Sequence, residues 1–214
     1  MPNYIYPPRP KSQFPPTLLQ KYERSGIWVC QRKFNGTRSP IRVTADRQVF
    51  FWGRHGEPHK QFNASQEIKN QVLALDIPVG QECWLDAELL KNKTTCAAYK
   101  DKLVIFDVLM LGTYFLGAPD QMSRLEIVKK ICRFPTALEP ANQIALVVSP
   151  NLWMAETWDH DFVKHFQEKV HLDEIEGLFL RKRNSVIDDI GTREYETTWC
   201  IRCRKPHASG CYSH

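Results

Sequence analysis

QRKFNGTR, residues 31–38, lies between two apolar runs, GIWVC at 26–30 and PIRV at 40–43. It places Lys33 and Arg38 in what is otherwise the pattern of two strands joined by a turn. Asn-Gly is the strongest short signal for a hairpin, and cations at an exposed turn cost little, so a surface turn is the simplest interpretation. A chemical role for Lys33 therefore needs support from elsewhere in the sequence.

The composition is that of a globular protein with a substantial core. Of the 214 residues, 43% are hydrophobic and 25% are charged, which fits one large domain or two small ones. The net charge of +5 favours polyanionic partners such as nucleic acid, although many basic proteins have none. The most apolar stretch, residues 103–118, carries Asp107, so the sequence predicts no membrane span.

The ends of the chain and its cysteines bear on the compartment. The N-terminal sequence MPNYIYPPRPK lacks the apolar core of a secretory signal. The seven cysteines fit reduced thiols better than a disulfide framework. These features predict an intracellular protein, cytoplasmic or nuclear, and are compatible with a viral source. We expect a monomer that does not associate with membranes.

Strand patterns are concentrated towards the two ends of the chain, and helical patterns lie between them. Residues 1–26 are predicted to form a proline-rich arm and a short helix, 27–206 the main domain, and 207–214 a tail. Strands followed by helices and then by strands again predict an α+β fold of largely antiparallel sheets flanked by helices.

Three segments have helical spacing, at residues 63–77, 123–134 and 156–171. Ser65 is a candidate N-cap of the first. The second is the clearest amphipathic pattern. Its apolar face is predicted to carry Leu125, Val128, Ile131 and Cys132, and its polar face Arg124, Lys129 and Lys130.

Six stretches place a charged or aromatic side chain inside or at the end of an apolar strand. Taken singly, each has a structural explanation, as a strand-end carboxylate, a core aromatic ring or a solvent-facing edge. The side chains are Lys33 with Arg38, Arg54 in FFWGRHGE, Glu88 in WLDAELL, Phe106 in VIFDVL, Glu176 in EIEGLFLRK, and Arg202 with Arg204 in WCIRCRKP.

In this order the stretches resemble the sequential motifs of the covalent nucleotidyltransferases, the superfamily of ATP-dependent DNA and RNA ligases and messenger-RNA capping enzymes. KFNGTR resembles Lys-x-Asp-Gly-x-Arg, GRHGE resembles SRNGE, LDAEL resembles LDGEL, FDVLML resembles FDLLYL, EGLFLRK resembles EG-x-x-x-R/K, and CIRCR resembles Lys-x-Lys. A single motif would carry little weight, whereas six in order carry much. The resemblance is nearest to the adenylation domain of ATP-dependent DNA ligases.

The resemblance implies a nucleotidyltransferase (ATP-grasp-like) domain in which Lys33 is the nucleophile. Its amine would attack the α-phosphate of ATP and form a lysyl-AMP. A free lysine has a pKa of about 10.4, so the site must favour the neutral amine through nearby cations or a metal ion. Arg202 and Arg204, which alternation places on one face of a strand, would stabilise the transferred phosphoryl group.

The remaining motif residues are expected to bind the nucleotide and its metal ion. Glu88 and Glu176 would hold Mg²⁺ or Mn²⁺ directly or through water, and Glu88 could instead bind the ribose hydroxyls. Phe106 would stack on the purine, with Leu178 or Leu180 on its other face. The cations Arg38 and Arg54 would bind ribose or the 5′-phosphate of a nucleic acid.

Several features depart from the resembled pattern. Asn35 stands where ligases usually have Asp, and Gln31 stands where DNA ligases commonly have a Glu that accepts from the adenine amino group. Arg-x-Arg replaces Lys-x-Lys. Only ten residues follow Arg204, so we expect no OB-fold domain. The chain would then be a naturally minimal enzyme, a shortened chain, or one whose lid is another protein.

Three functions follow from these motifs. The first is an ATP-dependent polynucleotide ligase that joins 5′-phosphate and 3′-hydroxyl ends of nicked DNA or RNA, with DNA preferred over RNA. The second is a capping guanylyltransferase, for which CIRCRKP resembles the KWKP of that family. The third is a catalytically inactive module that only holds nucleic-acid ends.

A zinc site is a local alternative near the C-terminus. The spacing C-x2-C-x3-H-x3-C is close to that of zinc knuckles. However, the first two cysteines would point to opposite faces of a regular strand. The four residues are Cys200, Cys203, His207 and Cys211.

Overall fold

The computed structural model describes residues 4–60, 62–91, 94–133 and 144–206. These residues form a mixed α+β structure with two β-sheets. Its helices are α1 (Leu19–Arg24), α2 (Gln66–Leu73), α3 (Gln121–Ile131) and α4 (Phe162–Lys169). Its strands are β1 (Arg9–Phe14), β2 (Trp28–Phe34), β3 (Thr37–Arg38), β4 (Ile41–Val43), β5 (Val49–Phe51), β6 (Cys83–Leu90), β7 (Lys102–Leu111), β8 (Thr113–Tyr114), β9 (Leu146–Val147), β10 (Leu152–Met154), β11 (Thr157–Trp158), β12 (Ile175–Lys182) and β13 (Glu196–Arg204).

The two sheets differ in their strands but share a largely antiparallel pairing. The five-stranded sheet has the order β1-β13-β12-β2-β11, and only its edge pair β1 and β13 is parallel. The eight-stranded sheet has the order β5-β4-β6-β7-β10-β9, with β3 on β6 and β8 on β7. Its β7 and β10 are parallel. The predicted α+β class therefore matches the observed elements.

The Asn-Gly turn that follows β2 does not close a hairpin. β2 pairs within the five-stranded sheet, whereas β3 pairs with β6 in the eight-stranded sheet. The chain therefore crosses between the sheets at residues 35–36, and the hairpin interpretation of this stretch is wrong. Gly36 is required here by close approach, because a Cβ on it would lie 2.4 Å from the carbonyl oxygen of Leu89.

Three groups of buried apolar side chains stabilise this arrangement. The largest lies on the eight-stranded sheet beneath α2 and α3. A second lies between the five-stranded sheet and the helices α1 and α4. The third joins the two sheets, because it contains Phe34 and Ile175 of one sheet and Val104 and Trp153 of the other.

The N-terminal segment packs on both sheets. Tyr4 and Ile5 are buried with the eight-stranded sheet, and residues 9–14 add the parallel edge strand β1 to the five-stranded sheet. Sequence periodicity could not show this pairing, because it joins segments nearly 190 residues apart. The division into an arm, a domain and a tail remains a prediction.

The helices follow their predicted patterns with two corrections. Ser65 caps α2 by accepting from the Ile68 amide at 3.3 Å, as expected from the sequence. The predicted helix at 156–171 begins only at Phe162, since Thr157 and Trp158 form β11. Its start is fixed by Glu23, whose carboxylate accepts from the amides of residues 161 and 162 at 3.0 Å each.

Arg124 is the second correction, because it lies in the core and not on the polar face of α3. Its side chain is fully buried and its Nε donates to Asp107 Oδ1 at 3.1 Å. The guanidinium also donates to Gln121 Oε1 at 2.6 Å and to the carbonyl of Pro119 at 3.1 Å. A buried charge is tolerated when it is paired and hydrogen-bonded in this way.

Within the described residues, no helix is both long and apolar enough to cross a membrane. The six cysteines in those residues are free thiols.

Arg124→Met should lower the free energy of unfolding by about 3 to 5 kcal/mol, because it leaves the Asp107 carboxylate buried without its main partner. Urea denaturation monitored by circular dichroism measures the change. Lys129→Met on the same helix is the matched control, since its exposed ion pair with Glu126 should contribute less than about 1 kcal/mol. Equal losses in the two variants would contradict the role given to Arg124.

Candidate active site

A pocket of about 410 Å³ lies where the two sheets face each other. Its walls come from β2, β12 and β13 on one side, from β3, β6 and β7 on the other, and from the N-terminal segment at its mouth. Most of the predicted site residues meet here. The pocket-lining members of that set are Gln31, Lys33, Arg38, Arg54, Glu88, Phe106, Glu176, Arg202 and Arg204.

The register of three neighbouring strands aligns the central side chains in two rows. Lys33 pairs with Gly177, which pairs with Arg204. One step along the same face, Gln31 pairs with Phe179, which pairs with Arg202. Alternate residues of a strand share a face, so the two rows line one surface of the pocket.

Lys33 forms an ion pair at the centre of this surface. Its Nζ lies 2.5 Å from Glu176 Oε2, and Arg204 Nε lies 3.4 Å from the same oxygen. The Lys33 and Glu176 side chains are about one-fifth exposed, at 19% and 22%. This geometry places a primary amine at the pocket wall beside a carboxylate that could accept its proton.

Glu88 faces this ion pair from β6 in the other sheet. Burial raises its pKa from the ordinary value of 4.5 to about 7, against the opposing charges of Lys33 and Arg38. Its Oε1 accepts from the Gly36 amide at 3.1 Å. The carboxyl group therefore contacts the crossing between the sheets, and burial favours its protonated form.

The carboxylates fit a metal ion that is bound together with a substrate. Within residues 4–60, 62–91, 94–133 and 144–206, no group of three or more His, Cys, Asp or Glu side chains could hold a metal ion. Glu88 and Glu176 are close enough for the negative charge of Glu176 to raise the pKa of Glu88. Mg²⁺ commonly binds one or two carboxylates and completes its shell with water and phosphate oxygens.

Arg38 lines the pocket but is already engaged. Its Nε donates to Asp86 Oδ1 at 2.9 Å, its Nη2 donates to Asp86 Oδ2, and its Nη1 donates to the carbonyl of Pro8 at 3.1 Å. A bidentate pair of this kind fixes the guanidinium plane. Arg38 therefore presents an edge of a fixed group to the pocket, and its predicted role towards ribose or phosphate remains a prediction.

Two departures from the resembled motifs have different consequences. The Asn35 side chain donates to the carbonyl of Asp173 at 2.9 Å, so it stabilises the turn. Gln31 is buried and lies in the pocket. Its Nε2 donates to Thr157 Oγ1 at 2.9 Å and to the Phe106 carbonyl at 3.3 Å, while its Oε1 accepts from Arg181. These contacts fix the orientation of the Gln31 amide.

The expected position of Leu178 or Leu180 beside the purine is wrong. Both leucines are fully buried in the core beneath α1 and α4, on the opposite face of β12. Phe179 lines the pocket instead. The cause is an irregularity between Ile175 and Gly177, which breaks the alternation that would have placed Glu176 and the leucines on one face.

Arg181 stands at the R/K position of the EG-x-x-x-R/K resemblance but is not among the predicted site residues, and it lies at the same end of the pocket as the two aromatic rings. Its Cζ lies 5.3 Å from the centroid of Phe106 and 4.6 Å from that of Phe179. Its Nε lies 3.9 Å from Asp107 Oδ2, the carboxylate that Arg124 also holds. The signal for Arg181 in the sequence is the basic residue that ends EG-x-x-x-R/K, and its alternation with Phe179 places both side chains on the pocket face of β12.

Arg202 and Arg54 lie towards the mouth of the pocket. Arg202 makes no hydrogen bond or ion pair within the described part of the chain, and its Nε is buried. Burial lowers the pKa of Arg202, as do the positive charges of Arg204 and Arg9. Such an arrangement favours the binding of an anion.

The zinc alternative falls partly outside the described residues, because His207 and Cys211 are not among them. Cys203 is buried in the core of the five-stranded sheet. Cys200 lies on the other face, where Arg181 and Arg38 influence its pKa, which burial raises to about 12. The two described cysteines thus point to opposite faces of β13.

Comparison with solved structures places this fold. Mycobacterial DNA ligase D complexed with ATP and MES matches with a TM-score of 0.62 at 14% identity, covering 96% of this chain and 62% of that chain. The ligase domain of M. tuberculosis LigD matches with a TM-score of 0.59 at 15% identity, covering 93% and 59%. The ATP-dependent DNA ligase of bacteriophage T7, in complex with ATP, matches with a TM-score of 0.54 at 12% identity, covering 90% and 67%.

These similarities show the fold. The chain has the fold that these ligase structures share. It spans about three-fifths of the length of the two mycobacterial structures, at 62% and 59%. No protein-family model and no curated protein matches the sequence.

Glu88→Gln should stabilise the protein more at pH 8 than at pH 5. The folded-state pKa of Glu88 is raised from 4.5 to about 7, so the stability that its proton provides is present below about pH 4.5 and is lost as the pH rises through 7. Glutamine is neutral throughout, so the variant should gain up to about 3 kcal/mol relative to wild type over this interval.

Urea unfolding at the two pH values measures this gain. Glu67→Gln, on the exposed surface of α2, is the control. A gain from Glu88→Gln that is equal at pH 5 and pH 8 would contradict the raised pKa.

Proposed function

We propose that this chain is an ATP-dependent polynucleotide ligase that joins 5′-phosphate and 3′-hydroxyl ends through a lysyl-AMP at Lys33. The observation that carries the proposal is the position of the Lys33 amine. It lies in the pocket, 2.5 Å from Glu176 and in one cross-strand row with Arg204. The fold shared with ATP-dependent DNA ligase catalytic domains supports the same class of reaction.

In the first step, the Lys33 amine attacks the α-phosphorus of ATP. A P–N bond forms and the bond to pyrophosphate breaks, so the products are lysyl-AMP and pyrophosphate. The amine must lose a proton, and Glu176 is a carboxylate within hydrogen-bonding distance of it. We assign Arg202 and Arg204 to stabilise the negative charge on the transferred phosphoryl group.

The second step transfers AMP from Lys33 to the 5′-phosphate, and the third step seals the two ends. A 5′-phosphate oxygen attacks the phosphorus of the adduct, and Lys33 departs as the amine after regaining a proton. A 3′-hydroxyl then attacks the 5′-phosphorus of the activated end, and AMP leaves. We assign Arg38 and Arg54 to the ribose or to the 5′-phosphate.

Nucleotide and metal binding use the two ends of the pocket. Phe106 and Phe179 would stack on the adenine, with Gln31 and Arg181 facing its edge. Glu88 and Glu176 would hold Mg²⁺ or Mn²⁺, which supplies charge neutralisation for the phosphates when bound.

The preference for DNA over RNA rests on sequence and on the compared structures. EGLFLRK, the GRHGE segment and α3 are similar to stretches of DNA ligases. Two of the compared structures are described as DNA ligases. A nicked DNA duplex is accordingly the first substrate to test, beside nicked RNA and hybrid duplexes.

Incubation with ATP and Mg²⁺ should add the mass of one AMP to the intact protein, and Lys33→Ala should abolish this adduct. Intact-mass spectrometry measures it, and sealing of nicked duplexes follows in the same samples. Lys69→Ala, on the surface of α2, is the control and should form the adduct normally. An adduct that persists in Lys33→Ala would refute the assignment of the nucleophile.

The same experiment with GTP separates the alternatives. Labelling by GTP rather than ATP would indicate a capping guanylyltransferase. Failure of both nucleotides, with binding to 5′-phosphorylated ends retained, would indicate the inactive end-binding module.

Phe179→Ala should raise the KM for ATP by about three- to tenfold, because a lost aromatic stack costs roughly 0.5 to 1.5 kcal/mol. Leu178→Ala is the neighbouring control and should instead lower the free energy of unfolding by about 2 to 5 kcal/mol with little change in KM. Single-turnover formation of the adduct at varied ATP concentration measures the KM. Urea unfolding measures the free energy of unfolding. A raised KM in Leu178→Ala with an unchanged KM in Phe179→Ala would instead place Leu178 beside the adenine.

A further inference from the structure

The mouth of the pocket has a wall whose central residues, Arg9 and Glu194, lie outside the six motifs. Residues of the N-terminal segment, Arg9 among them, contribute to it. β1 is fixed on β13 by parallel pairing that aligns Arg9 with Glu196, and the Arg9 amide donates to the carbonyl of Tyr195 at 3.3 Å. A sheet therefore holds the backbone of Arg9 beside the mouth.

Glu194 is the anion at the centre of this wall. Its Oε2 pairs with Arg9 Nη1, and its Oε1 pairs with His55 Nδ1. The hydrogen bond from His55 and the charges of Arg9 and Arg54 lower the pKa of Glu194. Basic side chains from separate segments thus converge on one carboxylate. The Arg9 and Glu194 side chains are each about one-third exposed, at 34% and 35%, so a ligand can reach both.

A carboxylate bridged in this way has the recognition chemistry of a phosphate. Arginine and imidazole groups that hold two carboxylate oxygens can hold two phosphate oxygens in the same geometry. Arg202 lies close enough to Arg9 for the two positive charges to affect each other, and it has no ion-pair partner within the described ranges. The mouth therefore holds more positive charge than Glu194 neutralises.

We propose that Arg9 and His55 form a phosphate-binding site at the mouth of the pocket, which Glu194 occupies until a substrate phosphate displaces it. The inference rests on the proposed function, which supplies two phosphates of this chemistry: the triphosphate of ATP and the 5′-phosphate of a polynucleotide end. No covalent bond changes at this site. Binding exchanges one ion pair for another, and Glu194 turns towards solvent.

Binding measured without ATP tests the site independently of catalysis. Fluorescence anisotropy compares a nicked DNA duplex carrying a 5′-phosphate with the same duplex carrying a 5′-hydroxyl, and calorimetry measures the affinity for inorganic tripolyphosphate. Arg9→Ala and Arg9→Gln should each weaken one of these phosphate-dependent affinities about tenfold, the size expected from one charge-assisted contact. If the Arg9 variants lose the preference for the 5′-phosphorylated duplex, the site binds the phosphate of the polynucleotide end. If they lose affinity for tripolyphosphate, the site binds the triphosphate of ATP.

Two further variants distinguish binding from a structural role. Glu194→Gln removes the competing anion and should tighten the affected affinity severalfold, opposite in direction to the Arg9 variants. Lys11→Ala makes the same change of charge on the same strand, at an exposed position outside the pocket lining, and should leave the phosphate-dependent affinities unchanged. Circular dichroism confirms that each variant is folded.

Two outcomes would overturn the site. One is that the Arg9 variants behave like Lys11→Ala towards both probes. The other is that Glu194→Gln weakens binding as the Arg9 variants do, since the ion pair would then only stabilise the fold. Adduct formation by the wild-type protein separates this inference from the proposed function. If the wild type forms the adduct but the Arg9 variants bind phosphate normally, only the phosphate site is refuted. If the Arg9 variants lose phosphate affinity but the wild type forms no adduct, only the ligase proposal is refuted.

Discussion

The close approach of β12 to β13 at Gly177 is the constraint on which the pocket depends. A Cβ at this position would lie 2.0 Å from the carbonyl oxygen of Cys203, and the φ angle of 143° is one that other residues rarely adopt. The irregularity of β12 between Ile175 and Gly177 lets Glu176 face Lys33, while Phe179, three residues further along the strand, faces the same pocket. A regular strand would offer the pocket either the carboxylate or the aromatic ring, but not both.

A buried polar network joins the two sheets at the end of the pocket where Phe106 and Phe179 lie. Arg181 of the five-stranded sheet lies near Asp107 of the eight-stranded sheet, and Arg124 of α3 donates to the same carboxylate. Gln31 bridges the sheets again through the carbonyl of Phe106. Because buried polar groups of this kind are costly when unpaired, the network favours one relative position of the sheets. The aromatic rings are thereby fixed before any ligand binds.

The sequence was informative wherever an apolar strand ends in a residue of unusual chemistry. The long strands, the cap at Ser65 and the residues gathered at Lys33 could all be predicted, because each depends on local alternation or on the order of the motifs. The burial of Arg124 could not be predicted, because helical spacing places this residue beside lysines. Its contact with Asp107 depends on the packing of α3 against the eight-stranded sheet. The expectation for Leu178 is wrong because an irregularity in a strand has no signature in residue spacing.

The charges of the pocket explain why its carboxylates are paired internally. Lys33 and Arg204 share Glu176, and Arg9 and His55 share Glu194, so the positive charges of the pocket are offset by acids of the same chain. These ion pairs are partly exposed, which keeps them weak enough to exchange. Phosphate groups carry more charge and more oxygens than a carboxylate, so they can replace these acids without new cations being recruited. Under the proposed function, these ion pairs stabilise the empty pocket and give way to the phosphates of a substrate.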